Sequence, residues 1–306
     1  MLKYEYYLPN RKLTNADLVK LFPEWTEEKI FSKTGIMSRY VASEGEDALD
    51  LAEKACLKLF TSGVDPKTID FIILCTQSPR YKLPSSACII QYKLGIPTSA
   101  GALDYDLGCS GFVYGLAMAK GLVKGGIAKK VLLVTAETYT KYIGEMDKST
   151  RTIFGDGASA TMIDEAAAEQ IGEFVLGTDG AGAEKLILHE GEHLFMDGPE
   201  IFNFTLDVVP KTMDEICAKN GVSRDDVDLF VFHQANKFML DTIRKVCGLP
   251  RDKFYIDIED TGNTVSNTIP IALSRAADNG KIHPNMKVMI VGFGVGLSWG
   301  GTILQY

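Results

Sequence analysis

The strongest constraint in this sequence is that it contains itself twice. Residues 63–74 read GVDPKTIDFIIL and residues 221–232 read GVSRDDVDLFVF, so that Gly63 matches Gly221, Val64 matches Val222 and Asp70 matches Asp228 at an offset of 158 residues. Lys130-Val131-Leu132-Leu133-Val134 is answered by Lys287-Val288-Met289-Ile290-Val291 at an offset of 157. Solenoid repeats recur every roughly 20–50 residues, so this period marks two copies of a domain-sized unit instead. The halves are expected to be 1–165 and 166–306 of the 306 residues.

The repeated segments are continuous apolar runs: FIILCT, VLLVTAE, LFVF and VMIVGFG. Unbroken runs suit parallel strands covered on both faces, where alternating ones suit a sheet with one wet face. Helical stretches lie between them. Asp47–Phe60 sets Leu49, Ala52, Cys56 and Phe60 on one face, and Phe202–Lys219 and Asn236–Val246 read as helices too. Strand–helix alternation, twice over, predicts an α/β fold. With 46% apolar and 24% charged residues the chain has the composition of an ordinary globular protein. No apolar run approaches a membrane span of about 20 residues, and the start, MLKYEYYLPN, lacks the apolar core of a secretion signal. A net charge of −8 argues against nucleic acid as a partner. The six cysteines form no C-x-x-C pair, which suits reduced thiols in the cytoplasm.

Three motif matches lack the context their chemistry needs. His189-Glu190-Gly191-Glu192-His193 fits the zinc-protease pattern, but Gly191 and the following Met196-Asp197-Gly198-Pro199 read as a loop, so no metal site is expected. Gly296-Leu297-Ser298-Trp299-Gly300 fits the hydrolase elbow, yet neither acid nor histidine follows it. Gly292-Phe293-Gly294-Val295-Gly296 follows a strand as a dinucleotide loop would, without the βαβ unit such a loop opens. These glycines read as positions of close backbone approach.

Three residues stand where chemistry would be placed. Cys109, in Leu107-Gly108-Cys109-Ser110-Gly111, lies between a short strand and a helix rich in small residues. A thiol at a helix N-terminus feels the positive end of the helix dipole, which favours thiolate. A small core cysteine is the plainer reading of the same position. His233 ends the run Leu229–Phe232, at the repeat position of Cys75; ligand sites in open α/β sheets form outside the carboxyl ends of strands. A satisfied core histidine is the alternative there. Asn263, in Thr261-Gly262-Asn263-Thr264, reads alone as a turn residue.

Together, Cys in GCSGF, His in FHQAN, Asn in GNTVSNTIP and the tail VGFGVGLSWGGTIL resemble, in that order, the β-ketoacyl-[acyl-carrier-protein] synthase III family of the thiolase superfamily. FGDGASA (Phe154–Ala160) and MDGPEIFNF (Met196–Phe204) resemble further family blocks. The resemblance implies a thiolase-like αβαβα fold of two duplicated halves, a homodimer, and a Cys–His–Asn condensing site. It makes Cys109 the nucleophile that takes an acyl group from a thioester, and His233 and Asn263 the groups that bind a malonyl thioester as it loses carbon dioxide. The backbone N–H groups of Cys109 and Val295 are implied as the oxyanion hole. No bound cofactor is implied, since coenzyme A and phosphopantetheine thioesters are substrates and acyl carrier protein is a partner. A degradative thiolase has a second cysteine in its C-terminal glycine motif, and GFGVGLSWGG has none.

The chain departs from the family at substrate recognition. The family sandwiches adenine between a Trp and an Arg; the matching positions here are Lys29 and Lys148, and a lysine has no flat face to stack. With Lys33 they can still bind phosphates by charge. A carrier-docking Arg is matched by Phe238, beside Lys237, a partner-subunit Phe that shapes the acyl pocket by Leu83, and a glycine by Val295. Carrier docking on an acidic enzyme would then rest on a local patch from Lys33, Arg39, Lys237 and Arg244. Two further readings stand beside condensation: acyl transfer from the cysteine to a hydroxyl or amine, and a non-catalytic subunit of a heterodimer.

Overall fold

The computed structural model describes residues 2–306. Its first half runs β1 (Lys3–Tyr7), β2 (Arg11–Thr14), α1 (Asn15–Leu21), α2 (Glu27–Thr34), β3 (Ser38–Val41), α3 (Ala48–Thr61), β4 (Phe71–Cys75), α4 (Ser86–Lys93), β5 (Gly101–Tyr105), α5 (Gly111–Lys124), β6 (Lys130–Glu137), α6 (Lys148–Arg151) and β7 (Gly157–Asp164). Then come α7 (Glu165–Glu169), β8 (Val175–Thr178), β9 (Leu186–Ile187), β10 (Phe195–Met196), α8 (Gly198–Asn220), β11 (Leu229–Phe232), α9 (Lys237–Val246), α10 (Thr268–Asp278), β12 (Lys287–Gly294) and β13 (Ser298–Gln305).

The two main sheets have one topology. The first is ordered β1-β7-β6-β4-β5 and the second β8-β13-β12-β11. In both, the two apolar repeat strands pair in parallel (β4 with β6, β11 with β12) and the next two neighbours run antiparallel. The partner of β5 in the second sheet has shrunk to one parallel bridge, Phe230 to Phe254. The repeated aspartates have the same task. Asp70 accepts from the N–H groups of Lys129 and Lys130, and Asp228 from that of Lys287, so each carboxylate holds the first residue of the neighbouring parallel strand.

Five layers follow. Helices α3 and α4 cover the outer face of the first sheet, α8 lies on the outer face of the second with α9 packed against it, and α5 and α10 fill the space between the sheets, touching both. The middle layer is shielded: eight of the residues of α10 are buried, and Phe112, Val113, Leu116 and Ala119 of α5 are buried with it. Three apolar clusters fill these layers, one between each outer helix layer and its sheet and one around the central helices against both sheets. Burial on both faces explains why the repeat strands carry no polar alternation. Both central helices begin at the carboxyl ends of strands, and their N-termini meet where the halves join. Among the described residues no helix is long and apolar enough to cross a membrane.

Candidate active site

Cys109 stands two residues before the first turn of α5 and is 7% exposed. Its sulfur faces the other half. A Cβ added to Gly294 would lie 2.9 Å from Cys109 Cβ and 3.1 Å from Sγ, and one on Gly292 would meet the Cys109 carbonyl at 2.9 Å. The glycine-rich end of β12 therefore lets a strand pass against the loop that carries Cys109, as the sequence suggests. The expectation of a favoured thiolate is corrected. Burial pushes the Cys109 thiol up to about 12 and the nearby Glu137 adds to the rise, which outweighs the helix dipole.

His233 follows β11 and extends its ladder, its N–H donating to the Val291 carbonyl at 2.8 Å. The ring is 2% exposed and packs edge-on against Phe293. Nδ1 lies 2.7 Å from the Thr268 hydroxyl at the start of α10, and Nε2 lies 3.4 Å from Asn263 Nδ2. Burial holds the imidazole pKa down to about 3, so the ring is neutral at pH 7. Asn263 is fixed from both sides. Its Oδ1 accepts from Val265 N–H at 2.8 Å, which turns Nδ2 toward His233, and its backbone pairs with the first half through Ile153, Phe154 and Gly155. Val265 takes φ +58°, a strained conformation for a β-branched residue.

Cys109, His233 and Asn263 line one cavity of about 120 Å³ with Phe154, Phe293 and Gly294. The three reach that cavity from different loops. Val295 takes its place without backbone strain, since the positive φ falls on the next residue, Gly296. Neither Cys109 N–H nor Val295 N–H has an acceptor in another residue among those described. Two sequence motifs fall away. His189 and His193 sit exposed in a loop, not on a helix face, and Ser298 opens a strand, not a helix.

The substrate-side residues divide. Lys29 and Lys33 of α2 both lie over the ring of Trp25, with Nζ 5.1 and 5.8 Å from its centroid, and Lys148 of α6 pairs with Glu24, so all three lysines gather at one corner. Phe238 is 62% exposed and stacks on Phe202, beside the cavity-lining Ile201 and Met239. Leu83 is 83% exposed and does not line that cavity. Arg39 does not join the expected basic patch, whose Lys237 and Arg244 line one surface hollow beside the end of α2. Arg39 is fully buried, its guanidinium spent on the Leu13 and Thr152 carbonyls and Asn15 Oδ1. Lys237 pairs with Asp241, and Arg244 donates to the Leu249 carbonyl.

Two residues at the site were missed by the sequence reading. Thr268 orients the histidine. Glu137, the last residue of β6, is fully buried and accepts from Gln77 N–H, the Ser78 hydroxyl at 2.8 Å and the Ser266 hydroxyl at 3.3 Å. Burial pushes its pKa up to about 8. A charged residue closing the apolar run VLLVTAE was its signal in the sequence.

Comparison with known proteins agrees with this geometry. Residues 103–180 match the family described as 3-oxoacyl-[acyl-carrier-protein] synthase III, and residues 217–306 match its C-terminal counterpart. A β-ketoacyl-[acyl-carrier-protein] synthase III from Oceanobacillus iheyensis is 40% identical over 98% of this chain and 96% of its own. A crystal structure of a 3-oxoacyl-(acyl-carrier-protein) synthase III superposes with a TM-score of 0.96 at 47% identity, over 99% of this chain and 98% of that one. The priming β-ketosynthase of the R1128 polyketide pathway superposes with a TM-score of 0.91 at 31% identity, over 98% of this chain and 94% of that one.

Proposed function

This chain belongs to the 3-oxoacyl-[acyl-carrier-protein] synthase III family, and from that membership we propose that it condenses an acyl group held on Cys109 with a malonyl thioester. In the first half-reaction Cys109 Sγ attacks the carbonyl of an acyl thioester. The carbonyl oxygen takes negative charge in the tetrahedral intermediate, where the N–H groups of Cys109 and Val295 donate to it. The intermediate collapses to acyl-Cys109, and the departing thiolate leaves with the proton of the Cys109 thiol. That transfer suits a buried thiol, because no free thiolate has to persist in the site.

In the second half-reaction the malonyl thioester carbonyl lies between His233 and Asn263. In the tautomer where the Thr268 hydroxyl turns from the Val265 carbonyl to donate to Nδ1, Nε2 carries the ring proton and stands beside the Asn263 amide as a second donor. Carbon dioxide leaves, the carbon–carbon bond electrons pass to the enolate, and the two donors stabilise its oxygen. The enolate carbon attacks the acyl carbonyl, the carbon–sulfur bond breaks, and the Cys109 thiolate regains a proton from solvent. The observation that carries this reading is the neutral, buried His233–Asn263 pair in one cavity with Cys109. Simple acyl transfer to a hydroxyl or amine would need His233 as a general base, a role for which its lowered pKa, about 3, suits it poorly.

The donor is a coenzyme A or carrier-protein thioester, its phosphates met by Lys29, Lys33 and Lys148. The exposed Phe238–Phe202 stack supports a carrier contact with more apolar area and less charge than a basic patch would supply. We also infer a homodimer in which halves 1–165 and 166–306 work as one unit. Strand β5 is an open edge of its sheet with Leu103 exposed, and Leu83 stands free to complete the site of the partner. Substrates of this kind and six unpaired thiols fit a cytoplasmic enzyme. Incubation with acetyl-, butyryl- and longer acyl-coenzyme A, read by intact mass, is expected to give an adduct that disappears in Cys109→Ala. Adding malonyl-carrier protein should discharge it with release of carbon dioxide. An adduct that persists in Cys109→Ala would sink the assignment of the nucleophile.

A further inference from the structure

On the condensing reading, the two N–H groups that meet the acyl oxygen come from different halves, so their separation has to be fixed across the junction. Cys109 leads into α5, and Val295 is the first of the three residues that join β12 to β13. That hairpin tip is exposed at Gly296, so packing from above does not set its place. Its far side is tied at Leu297, whose backbone exchanges two hydrogen bonds with that of Asp179, at 2.9 and 3.0 Å. Its near side, toward Cys109, is tied by two hydroxyls.

Ser110 is the N-cap residue of α5, yet its side chain makes no cap hydrogen bond. A serine in that place ordinarily accepts from an N–H of the first turn. Here Ser110 Oγ lies 2.7 Å from Ser298 Oγ, and both residues are buried. Ser298 Oγ in turn donates to the Val295 carbonyl at 2.8 Å. A hydroxyl has one proton to give and a carbonyl oxygen only accepts. The proton of Ser298 is therefore spent on Val295, and Ser110 must be the donor to Ser298. The relay starts one residue after Cys109 and ends on Val295. The matched N-cap makes the same crossing in the opposite direction. Asn267 Nδ2 donates at 2.9 Å to the carbonyl of Gly157, which opens β7 as Ser298 opens β13. The Ser110 crossing is prolonged by one further bond, from the strand to the hairpin tip.

We propose that Ser110 and Ser298 are positioning residues for acyl transfer, their relay holding the Val295 N–H at the separation from the Cys109 N–H that one oxyanion requires. The inference rests on the acyl-Cys109 reading above. Neither serine lines the cavity that holds Cys109, so their effect passes through Val295. Donors stabilise a developing oxyanion when they are already aimed at it. A misplacement of about 1 Å at a reacting centre can cost about 10²-fold in rate.

The test compares two reactions of one sulfur in the full-length protein. An acyl-coenzyme A builds negative charge on a carbonyl oxygen and uses the two N–H groups. Iodoacetamide loses iodide from a saturated carbon and has no use for them. Ser298→Ala should slow acylation about 10- to 100-fold while alkylation changes by less than about threefold. Decarboxylation of a malonyl thioester, which relies on His233 and Asn263, should persist with alkylation. Ser298→Thr keeps the hydroxyl and should return acylation to within about threefold of the unaltered protein. Ser110→Ala leaves Ser298 free to turn and should give an intermediate, equally selective loss; the same ratio in that variant decides the matter if Ser298→Ala does not fold. Acylation and alkylation falling together would overturn the proposal, since the serines would then only support packing. Unchanged acylation in Ser298→Ala would overturn it too. Failure of every thioester to modify Cys109 in the unaltered protein would instead bring down the condensing reading itself.

Discussion

The two halves share a topology and divide its positions between chemistry and support. Helices α5 and α10 have their N-caps at Ser110 and Asn267, and strands β6 and β12 end at Glu137 and Gly294, both pairs 157 residues apart. The residue before each N-cap meets the strand end of the other half. In one such meeting Cys109 faces Gly294, and the missing side chain leaves room at the sulfur. In the other Ser266 faces Glu137, and a hydrogen bond fills the room. The strand ends behave alike. His233 points a neutral ring into the cavity, while Cys75 at the matching position gives its thiol to the Leu107 carbonyl and steadies the loop that carries Cys109. Duplication supplied two equivalent sites at the junction; one became a cavity and the other became its brace.

The comparison is most sharply tested by exchanging weight between matched positions. His233→Ala should cost about 10²- to 10³-fold in decarboxylation of the malonyl thioester, the range found for loss of an oxyanion donor, with acylation of Cys109 largely kept. Cys75→Ala at the mate should cost only about 1 kcal/mol of stability, the net worth of its hydrogen bond, with decarboxylation retained. Radiolabelled carbon dioxide release and denaturant midpoints read the two. Equal losses of decarboxylation would deny that the mates have different duties.

A smaller effect is expected from refilling the open meeting point. Gly294→Ala puts a methyl group 3.1 Å from Cys109 Sγ, too close without movement of the loop. Overpacking of this kind costs about 1–3 kcal/mol, so acylation should slow by about 10- to 100-fold while the protein remains folded. Stopped-flow acylation with circular dichroism as the control measures it. An unchanged rate would mean that the glycine is not required by the sulfur.

Much of this was legible because it is local or repeated. Apolar runs marked β4, β6, β11 and β12, and the matched Asp70 and Asp228 marked the turns that lead into them. Cys109, His233 and Asn263 were visible only as members of an ordered set, since each alone has an ordinary structural reading. What stayed hidden depends on contacts between distant segments. Arg39 lies in an unremarkable polar stretch, yet three acceptors from Leu13, Asn15 and Thr152 bury it completely. The orientation of His233 depends on Thr268, 35 positions away. The thiol state of Cys109 is set by burial that no local pattern near the helix reveals. Gln77, Asp106 and Tyr139 follow three different strands, and no spacing announces the hydrogen bonds from Tyr139 to Gln77 and from Gln77 to Asp106.

Glu137 offers the subtlest test of the braced side. Its pKa, pushed up to about 8 by burial, exceeds that of an exposed glutamate, about 4.3. Its folded form therefore binds the proton more tightly than its unfolded form. The resulting stability is complete below the unfolded value and is lost as pH rises from there through 8. At pH 7 the folded carboxyl is mostly protonated, so Glu137→Gln should alter the fold little there and should remove this part of the loss between pH 5 and 8. Urea midpoints at the two pH values will show whether the slope shrinks. The same variant removes a negative neighbour that raises the thiol of Cys109. Above pH 8, where that carboxyl is ionised, Cys109 should react with iodoacetamide about three- to tenfold faster in Glu137→Gln, each tenfold in thiolate population corresponding to one pH unit. The ratio should fall toward one at pH 6, where both side chains are neutral. A ratio that stays constant from pH 6 to 9 would show that the brace acts on the nucleophile through packing alone and that its charge is not felt at the open site.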